Sequence, residues 1–574
     1  MFVSYDFEDF FTVVFDEHEN KSTLCQQISV VAVKTDVDDK KQTLVIEIRS
    51  GPDSSATFEM PRGNLYRNLL PTLGEYGLRI ADDKDSISVL QEILLDTEKG
   101  AAKSFSSKAL GYHYVNGQRC YLLDRDLCGK FNLESTCANL VSPSGNFRDW
   151  HAGVAPLMQS HPPFALGVAI GATAPLTYRL KSAGISLGAP IFALVGETTS
   201  GKTTTLQVCN SIFGIPDEKG LTETMNATES WFYATLAGRN GVIVGFDETT
   251  IGVVKDPSSL IYTMAGGKER GRCSSDGSRK DPKTWSTSIL LTGENSLLAQ
   301  SSKKGGLFAR LIEFRQNWTR TKQDADQVLK TISTNYGVAA APLINTIEAI
   351  SDEDLLKRFK DCNDELLQNI PAPTQLTGRI VKKLALLLLS CDVISKAWDV
   401  NIDRSAIIQI LVDELNENLP LVDPLDRFYE GLHQEIAQNP ALFPHASTNK
   451  VLLGQMKKHG VIEVINGKTV VWLYCDWLDP FLDRYGLDSS PQILRKMEAR
   501  KMILKRGDRF KDEKAFGGVC AKSVCIPLKT NPLPTPVKKK PSKNPHTANH
   551  NLLLDDDDET PDKPEYDNNG GAEE

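Results

Sequence analysis

The chain has 574 residues, 40% of them hydrophobic and 24% charged, a balance that fits a globular protein of about three or four domains. A net charge of -9 excludes a uniformly basic nucleic-acid coat. Much of that charge comes from the run Asp555-Asp556-Asp557-Asp558-Glu559, which leaves room for local basic patches elsewhere. No apolar run approaches the ~20 residues that cross a bilayer, so no membrane contact is expected. Residues 1–9 are acidic and aromatic, unlike a secretory signal. The 11 cysteines contain no CxxC pair and no histidine company, so neither a zinc cluster nor a disulfide framework is expected, and a cytoplasmic setting is.

Along the chain, 27–33 and 43–48 are β-rich with a turn at 36–40, and 64–76 and 86–98 have helical spacing. This predicts a small α+β domain over 1–105. A second β-rich stretch runs from Ala109 to Leu123, and 150–179 has helical periodicity. Pro190-Ile191-Phe192-Ala193-Leu194-Val195 then reads as a buried parallel strand, and Thr204-Thr205-Leu206-Gln207-Val208 as the first turns of a helix. Between them lies Gly196-Glu197-Thr198-Thr199-Ser200-Gly201-Lys202-Thr203, a complete P-loop. Glycines let backbone amides close around a polyphosphate, and the helix N-terminus adds partial positive charge. Lys202 is placed to reach the β/γ-phosphates and the Thr203 hydroxyl to ligate Mg²⁺. The expected ATP site is therefore the run from Gly196 through Thr204. A chance Gly/Thr-rich loop would lack the flanking strand and helix.

Gly241-Val242-Ile243-Val244-Gly245-Phe246-Asp247-Glu248 is an apolar strand ending in two carboxylates. Asp247 is placed to hold Mg²⁺ through water, as a Walker B aspartate does, and Glu248 to polarise an attacking water. A core strand ending in an acidic turn is common alone; after a P-loop it points to ATP hydrolysis. Next comes a segment with glycines at both ends and Asp276-Gly277 in the middle, which favours a hairpin. It carries Lys268, Arg270, Arg272, Arg279 and Lys280. Residues 286–292 read as the following core strand, and helices at 377–398 and 405–418 close an α/β nucleotide-binding core over 106–435.

Residues 436–527 read as a separate domain. A helix at 450–456, a strand at 469–473, a basic helix at 491–500 and then a basic hairpin make the pattern of a winged helix. Arg495, Lys496, Arg500, Lys501, Lys505 and Arg506 would then contact duplex DNA, or else form the solvated face of a packing domain. Residues 528–574, with Pro532, Pro534 and Pro536 before a lysine run and the acidic block, have no means of burying a core and are expected to be disordered.

Two segments carry a resemblance. Asn226-Ala227-Thr228-Glu229-Ser230-Trp231 is one; Gly267-Lys268-Glu269-Arg270-Gly271-Arg272, followed by Trp285 and Leu291-Thr292-Gly293-Glu294, is the other. They resemble an ATPase family borne on phages, plasmids and integrative elements. That family includes cassette-borne, self-loading helicases similar to minichromosome-maintenance (MCM) proteins. The resemblance spans roughly residues 20–525 and is strongest over about 109–315. It implies an α/β fold with an AAA+ core between an N-terminal α+β domain and a C-terminal winged helix. It also implies ATP and Mg²⁺ as cofactors, a homo-hexameric ring, and unwinding or translocation on single-stranded and forked DNA. Replication proteins are possible partners of the acidic tail. The sequence departs from the family where Gly245-Phe246 replaces the usual aliphatic-leucine lead into Asp-Glu, and no primase or TOPRIM module is recognisable at the N-terminus.

The resemblance also suggests roles for single residues. A polar residue at the end of strand 286–292 would be sensor 1, orienting the attacking water: Asn295 first, with Thr292 and Glu294 as alternatives. Arg310 resembles an arginine finger acting on the neighbouring subunit's nucleotide, against an ordinary ion-pair arginine. Arg379 is either sensor 2 or a helix-surface arginine. The basic hairpin would track DNA in the ring's channel through salt-sensitive phosphate contacts, or be only a polar loop. Two other functions compete: a DNA-remodelling initiator without processive unwinding, and a nucleotide-gated DNA-binding regulator. A pure switch needs neither Glu248 nor Arg310.

Overall fold

A computed structural model of the chain describes residues 2–80, 83–249, 257–275, 277–301, 304–370, 375–422, 424–448, 457–485, 487, 489–504 and 509–528. Lys505, Arg506, Asp276, the expected helix at 450–456 and the expected disordered tail from 529 onward lie outside the described residues.

Strands are numbered along the chain. β1 (Phe2–Glu8), β2 (Phe11–Asp16), β3 (Lys21–Asp36), β4 (Gln42–Gly51) and β5 (Ser54–Pro61) form an antiparallel meander. Alternation turns Ile28 and Val30 of β3 and Leu44, Ile46 and Ile48 of β4 inward, against Leu90 and Leu94 of the helix Lys84–Gly100. The register slips between Val30 and Ala32, and this bulge makes Val33, an odd number of residues on, the next inward residue. β6 (Ala102–Ser107) runs parallel to β3 and carries β9 (Leu133–Ser135) beside it. Residue 105 thus falls inside a strand of this sheet. β7 (Leu110–Val115) and β8 (Gln118–Leu122) form a hairpin joined by the short β12 (Arg239–Asn240).

The central sheet has five parallel strands: β10 (Ile191–Val195), β11 (Thr222–Thr224), β13 (Val244–Asp247), β16 (Ile289–Gly293) and β17 (Leu311–Phe314). Their spatial order is β11-β13-β16-β10-β17. β10, β16 and β17 are buried at every position, as expected of parallel strands covered on both faces. Behind β10 the helix Pro162–Ser182 is buried from Phe164 to Thr177. It meets the helix Lys202–Ser211 closely: a Cβ on Gly167 would lie 2.4 Å from Thr205, so only glycine permits this approach. Arg179, on the same helix and buried, donates to Glu348 and Asp352 at 2.9 Å each and to the Ile350 carbonyl at 3.0 Å. This ties it to the helices Ala340–Glu348 and Asp352–Gln368, beyond which follow Gln375–Trp398 and Arg404–Val422.

The helix Pro424–Gln438 crosses residue 436 and packs forward in sequence: Arg427 donates to the Tyr485 carbonyl, and Tyr429 Oη to the Met502 carbonyl at 3.1 Å. β18 (Gly460–Ile465), β19 (Lys468–Tyr474), β20 (Asp512–Phe516) and β21 (Val519–Pro527) make an antiparallel sheet in the order β18-β19-β21-β20. Two helices, Cys475–Arg484 and Ser490–Ala499, are inserted between β19 and β20. Among the described residues the order is helix, hairpin, helix, helix, hairpin.

Candidate functional site

The P-loop follows the last residue of β10 and ends where the helix Lys202–Ser211 begins. Its tightness comes from backbone that turns left-handed at Gly196, Thr199 and Gly201, with φ of 155°, 76° and 84°. Such alternation is what curls successive amides into an anion-binding concavity. Gly201 is required twice over, for its φ and because a Cβ there would sit 2.6 Å from Thr319 Oγ1. Glu197, Thr198 and Thr199 are exposed at the tip, while Thr204 is buried beneath. Lys202, only 9% exposed, folds over its own loop: Nζ donates to the carbonyls of Gly196 at 2.9 Å and Glu197 at 2.6 Å, and lies 3.4 Å from Ser200 Oγ.

Sheet register assembles the opposite wall. β16 lies between β10 and β13, pairing Val195 with Gly293 and Phe246 with Leu291. Thr292 therefore stands between the P-loop strand and Asp247. Its hydroxyl donates to Asp247 Oδ1 and accepts the Glu248 amide at 3.2 Å. Asp247 Oδ1 also accepts from the Thr203 hydroxyl at 3.2 Å, so the P-loop threonine and the strand-end aspartate already face one another. Glu248 has φ of 60°, a conformation that costs a non-glycine residue about 1–3 kcal/mol and gathers at functional sites. The turn it makes directs its amide back at Asp247 and Thr292.

The chemistry of this donor set fits a Mg-nucleotide. Loop amides and a buried, loop-capping ammonium suit a polyphosphate; a hydroxyl and a carboxylate 3.2 Å apart suit a hard cation that takes oxygen ligands.

Of the three residues considered for the strand-end role, the structure joins Thr292 to both acids. Glu294 is exposed and accepts from Thr198 of the loop tip, and Asn295 is exposed beyond the strand. Sequence reasoning missed the buttress under the loop: the Trp318 amide donates to the Ser200 carbonyl at 2.7 Å, with the buried Thr319 against Gly201. A lone tryptophan in the polar stretch after β17 was its one signal.

Arg310 immediately precedes β17, whose Leu311 pairs with Ile191, the first residue of β10. It therefore sits at the sheet edge opposite its own P-loop. Its Nη1 donates to the Gly306 carbonyl at 2.8 Å and its guanidinium lies 4.3 Å from the Tyr262 ring centre. The buried Lys383 donates to the Ala309 carbonyl, one residue before it. Arg379 is exposed one helical turn before Lys383.

The hairpin forms as expected. β14 (Arg272–Cys273) pairs with β15 (Arg279–Lys280), and the base is closed by the Trp285 amide on the Gly267 carbonyl at 3.0 Å. Lys268, Arg270, Arg272, Arg279 and Lys280 are all exposed, as is Lys283, which adds to them. In the C-terminal segment Ile493, Leu494 and Met497 face inward, leaving Arg495, Lys496 and Arg500 outside, with Lys501 exposed just after the helix. Among the described residues no group of three or more His, Cys, Asp or Glu forms a metal cluster, and no helix is long and apolar enough to cross a membrane.

The fold resembles that of a solved active helicase, Cch of SCCmec type IV, with a TM-score of 0.76 and 20% identity, covering 91% of this chain and 97% of that one. A second structure, the apo C-terminal region of NrS-1, is 10% identical and covers 86% of this chain and 96% of that one; its TM-score of 0.30 is too low to bear on the fold. No curated protein matches the sequence. Residues 13–284 match a family described as a domain of unknown function, DUF927, and across nearly its whole length the chain shares the fold of the Cch helicase.

Proposed function

We propose that the chain is an ATP-hydrolysing AAA+ motor that unwinds or translocates on DNA during replication of a phage or mobile element, working as a ring of identical subunits. The observation that carries this reading is the cluster Lys202, Thr203, Asp247, Glu248 and Thr292 at one edge of the parallel sheet, with Thr203 and Asp247 3.2 Å apart. A sheet whose middle strand bears Thr292 between loop and acids supports hydrolysis over mere nucleotide storage. The similarity in fold to an active helicase supports the choice of motor.

Bound Mg-ATP supplies the phosphoanhydride that is cleaved and the cation that neutralises its charge. On the protein side, Lys202 exchanges the Gly196 and Glu197 carbonyls for phosphate oxygens. Thr203 and Asp247 hold the cation. Glu248 takes the proton of the attacking water, while Thr292 fixes the carboxylate of Asp247 and the turn of Glu248. Arg310, too remote to serve its own loop, stabilises developing charge on the neighbour's nucleotide. The hairpin cations hold single-stranded DNA by its phosphates, and Arg495, Lys496, Arg500 and Lys501 give the C-terminal domain, a winged helix on this reading, its duplex contact.

The test is a pair of measurements on the full chain. Phosphate release should rise when single-stranded DNA is added, and a labelled strand should be displaced from a forked duplex in the presence of ATP. ATP turnover indifferent to DNA, with no displacement from forked or tailed duplexes, would reject the motor.

A further inference from the structure

Among the described residues six tryptophans are buried, and Trp231 alone is 52% exposed. Leaving so large an apolar ring in water is unusual for a residue that usually buries most of its surface. Trp231 lies in the first turn of the helix Glu229–Leu236, where its Nε1 is 3.4 Å from Glu223 Oε2 on β11. That contact steers the indole edge toward β11, and the exposed remainder of the ring is presented to solvent.

Beside it stand one hairpin arginine, Arg272, and two carboxylates, Glu223 and Glu229. The neighbouring Ser230 Oγ accepts from Arg272 Nη2 at 3.2 Å, and one turn further Tyr233 stacks on Trp285 at the hairpin base, ring centres 6.1 Å apart. The hairpin thus runs alongside this helix from its base to Arg272; Arg270, exposed two residues ahead of β14's first residue, donates to Ser259 Oγ. An exposed aromatic face beside an arginine is the combination that binds single strands irrespective of sequence: cations hold the backbone, and the ring takes a base.

We propose that Trp231 is a base-stacking platform for single-stranded DNA, set beside the hairpin's Arg272. The inference rests on the motor reading above and adds a contact to bases where that reading has contacts only to the backbone.

The experiment measures binding of the full chain, with ATP, to labelled oligothymidylate and to an abasic phosphodeoxyribose oligomer of equal length. Trp231→Ala should weaken oligothymidylate binding by about tenfold and leave the abasic oligomer within about twofold; Trp231→Phe should retain most of the affinity. Intrinsic fluorescence of the wild type should be quenched by oligothymidylate, and Trp231→Phe should lose that quench while still binding. Equal losses on both oligomers would overturn stacking in favour of a general disturbance of the surface. Unchanged affinity with altered assembly would make Trp231 a subunit contact and overturn it too. A silent Trp231→Ala beside an Arg272→Ala that fails on both oligomers would sink the platform and leave the motor standing. A wild type that binds neither would remove both.

Discussion

On the proposed reading Lys202 and Glu248 divide the site between binding and turnover. The ammonium of Lys202 is held by the Gly196 and Glu197 carbonyls of its own loop, and its removal would deprive a bound phosphate of its cation. Lys202→Ala should abolish hydrolysis and weaken nucleotide binding, read by phosphate release and a fluorescent ATP analogue. Glu248→Gln keeps the backbone turn and the Thr203–Asp247 pair, so it should bind ATP and fail to turn it over. Equal rates in wild type and Glu248→Gln would remove that residue from the chemistry. Thr292→Val keeps the volume and deletes the hydroxyl that joins the Asp247 carboxylate to the Glu248 amide, so turnover should fall about tenfold or more. Asn295→Ala should cost less; the reverse ranking would restore Asn295 as the strand-end sensor.

Lys383 gives a pH dependence of known sign. Burial, with the charge of Arg310 nearby, holds its ammonium down to about 7, well below the ~10.4 of an unfolded lysine. Between those values the unfolded chain binds a proton that the fold sheds, so this group's contribution rises with pH. The slope is at most about 1.4 kcal/mol per pH unit. Below about pH 7 the lysine is charged in both states and the slope vanishes. The melting temperature of the wild type minus that of Lys383→Met should therefore rise as pH is raised from about 7 to about 9.5. A constant difference over that range would show that the buried amine does not titrate there.

At the scale of elements the hairpin makes the sharpest prediction. Its cations are exposed and its anchor, Trp285, is buried with Nε1 on the Met264 carbonyl at 2.8 Å, so replacing Lys268, Arg270 and Arg272 by alanine leaves the loop folded. Basal ATPase should persist while DNA stimulation and strand displacement fall. The log–log salt slope of single-strand binding should become shallower by about 0.7 for each phosphate that the variant no longer neutralises. Normal unwinding by this triple variant would move the DNA-binding surface elsewhere.

Elements built on strong periodicity were legible in the sequence. The apolar runs of β10 and β13, the glycines that close the P-loop and the helix over 377–398 follow from spacing; the stretch 150–179, read as one helical run, is divided at His161-Pro162 into Phe147–Ser160 and Pro162–Ser182, the second buried on all sides and so without a periodic stripe. Less legible were the edge strands β1 and β5. β5 is exposed at most positions, so its residues carry little of the alternation that burial imposes. The ends of the N-terminal sheet were hidden for another reason. β6 and β9 join it by parallel, long-range pairing, and no local signal announces such a partner. The site was legible where chemistry demands a residue type, as at Lys202 and Asp247. The choice between Thr292 and Asn295 was not, because it depends on register with β13, which two-residue alternation does not encode.

For the whole molecule the decisive test is complementation. Arg310→Ala alone should lose activity, by about 10³ or more if it acts as a finger. Mixed with Lys202→Ala it should recover part, because some junctions then pair an intact loop with an intact arginine. Sedimentation with ATP should show the assembly that makes this possible; a chain that stays monomeric at every concentration would sink the proposal. Removal of residues 424–527 should impair loading on duplex DNA more than it impairs hydrolysis, since Pro424–Gln438 packs with the segment that follows it.

Arg310 and the P-loop lie at opposite ends of β10, about 16 Å of extended chain apart at ~3.3 Å per residue. On the proposed reading each chain holds half of two sites and the whole of none. Specific activity then becomes a function of dilution. Below the association threshold the protein would hold nucleotide without hydrolysing it, and an element carrying few copies of the gene product would be quiescent by mass action alone, with no inhibitor required.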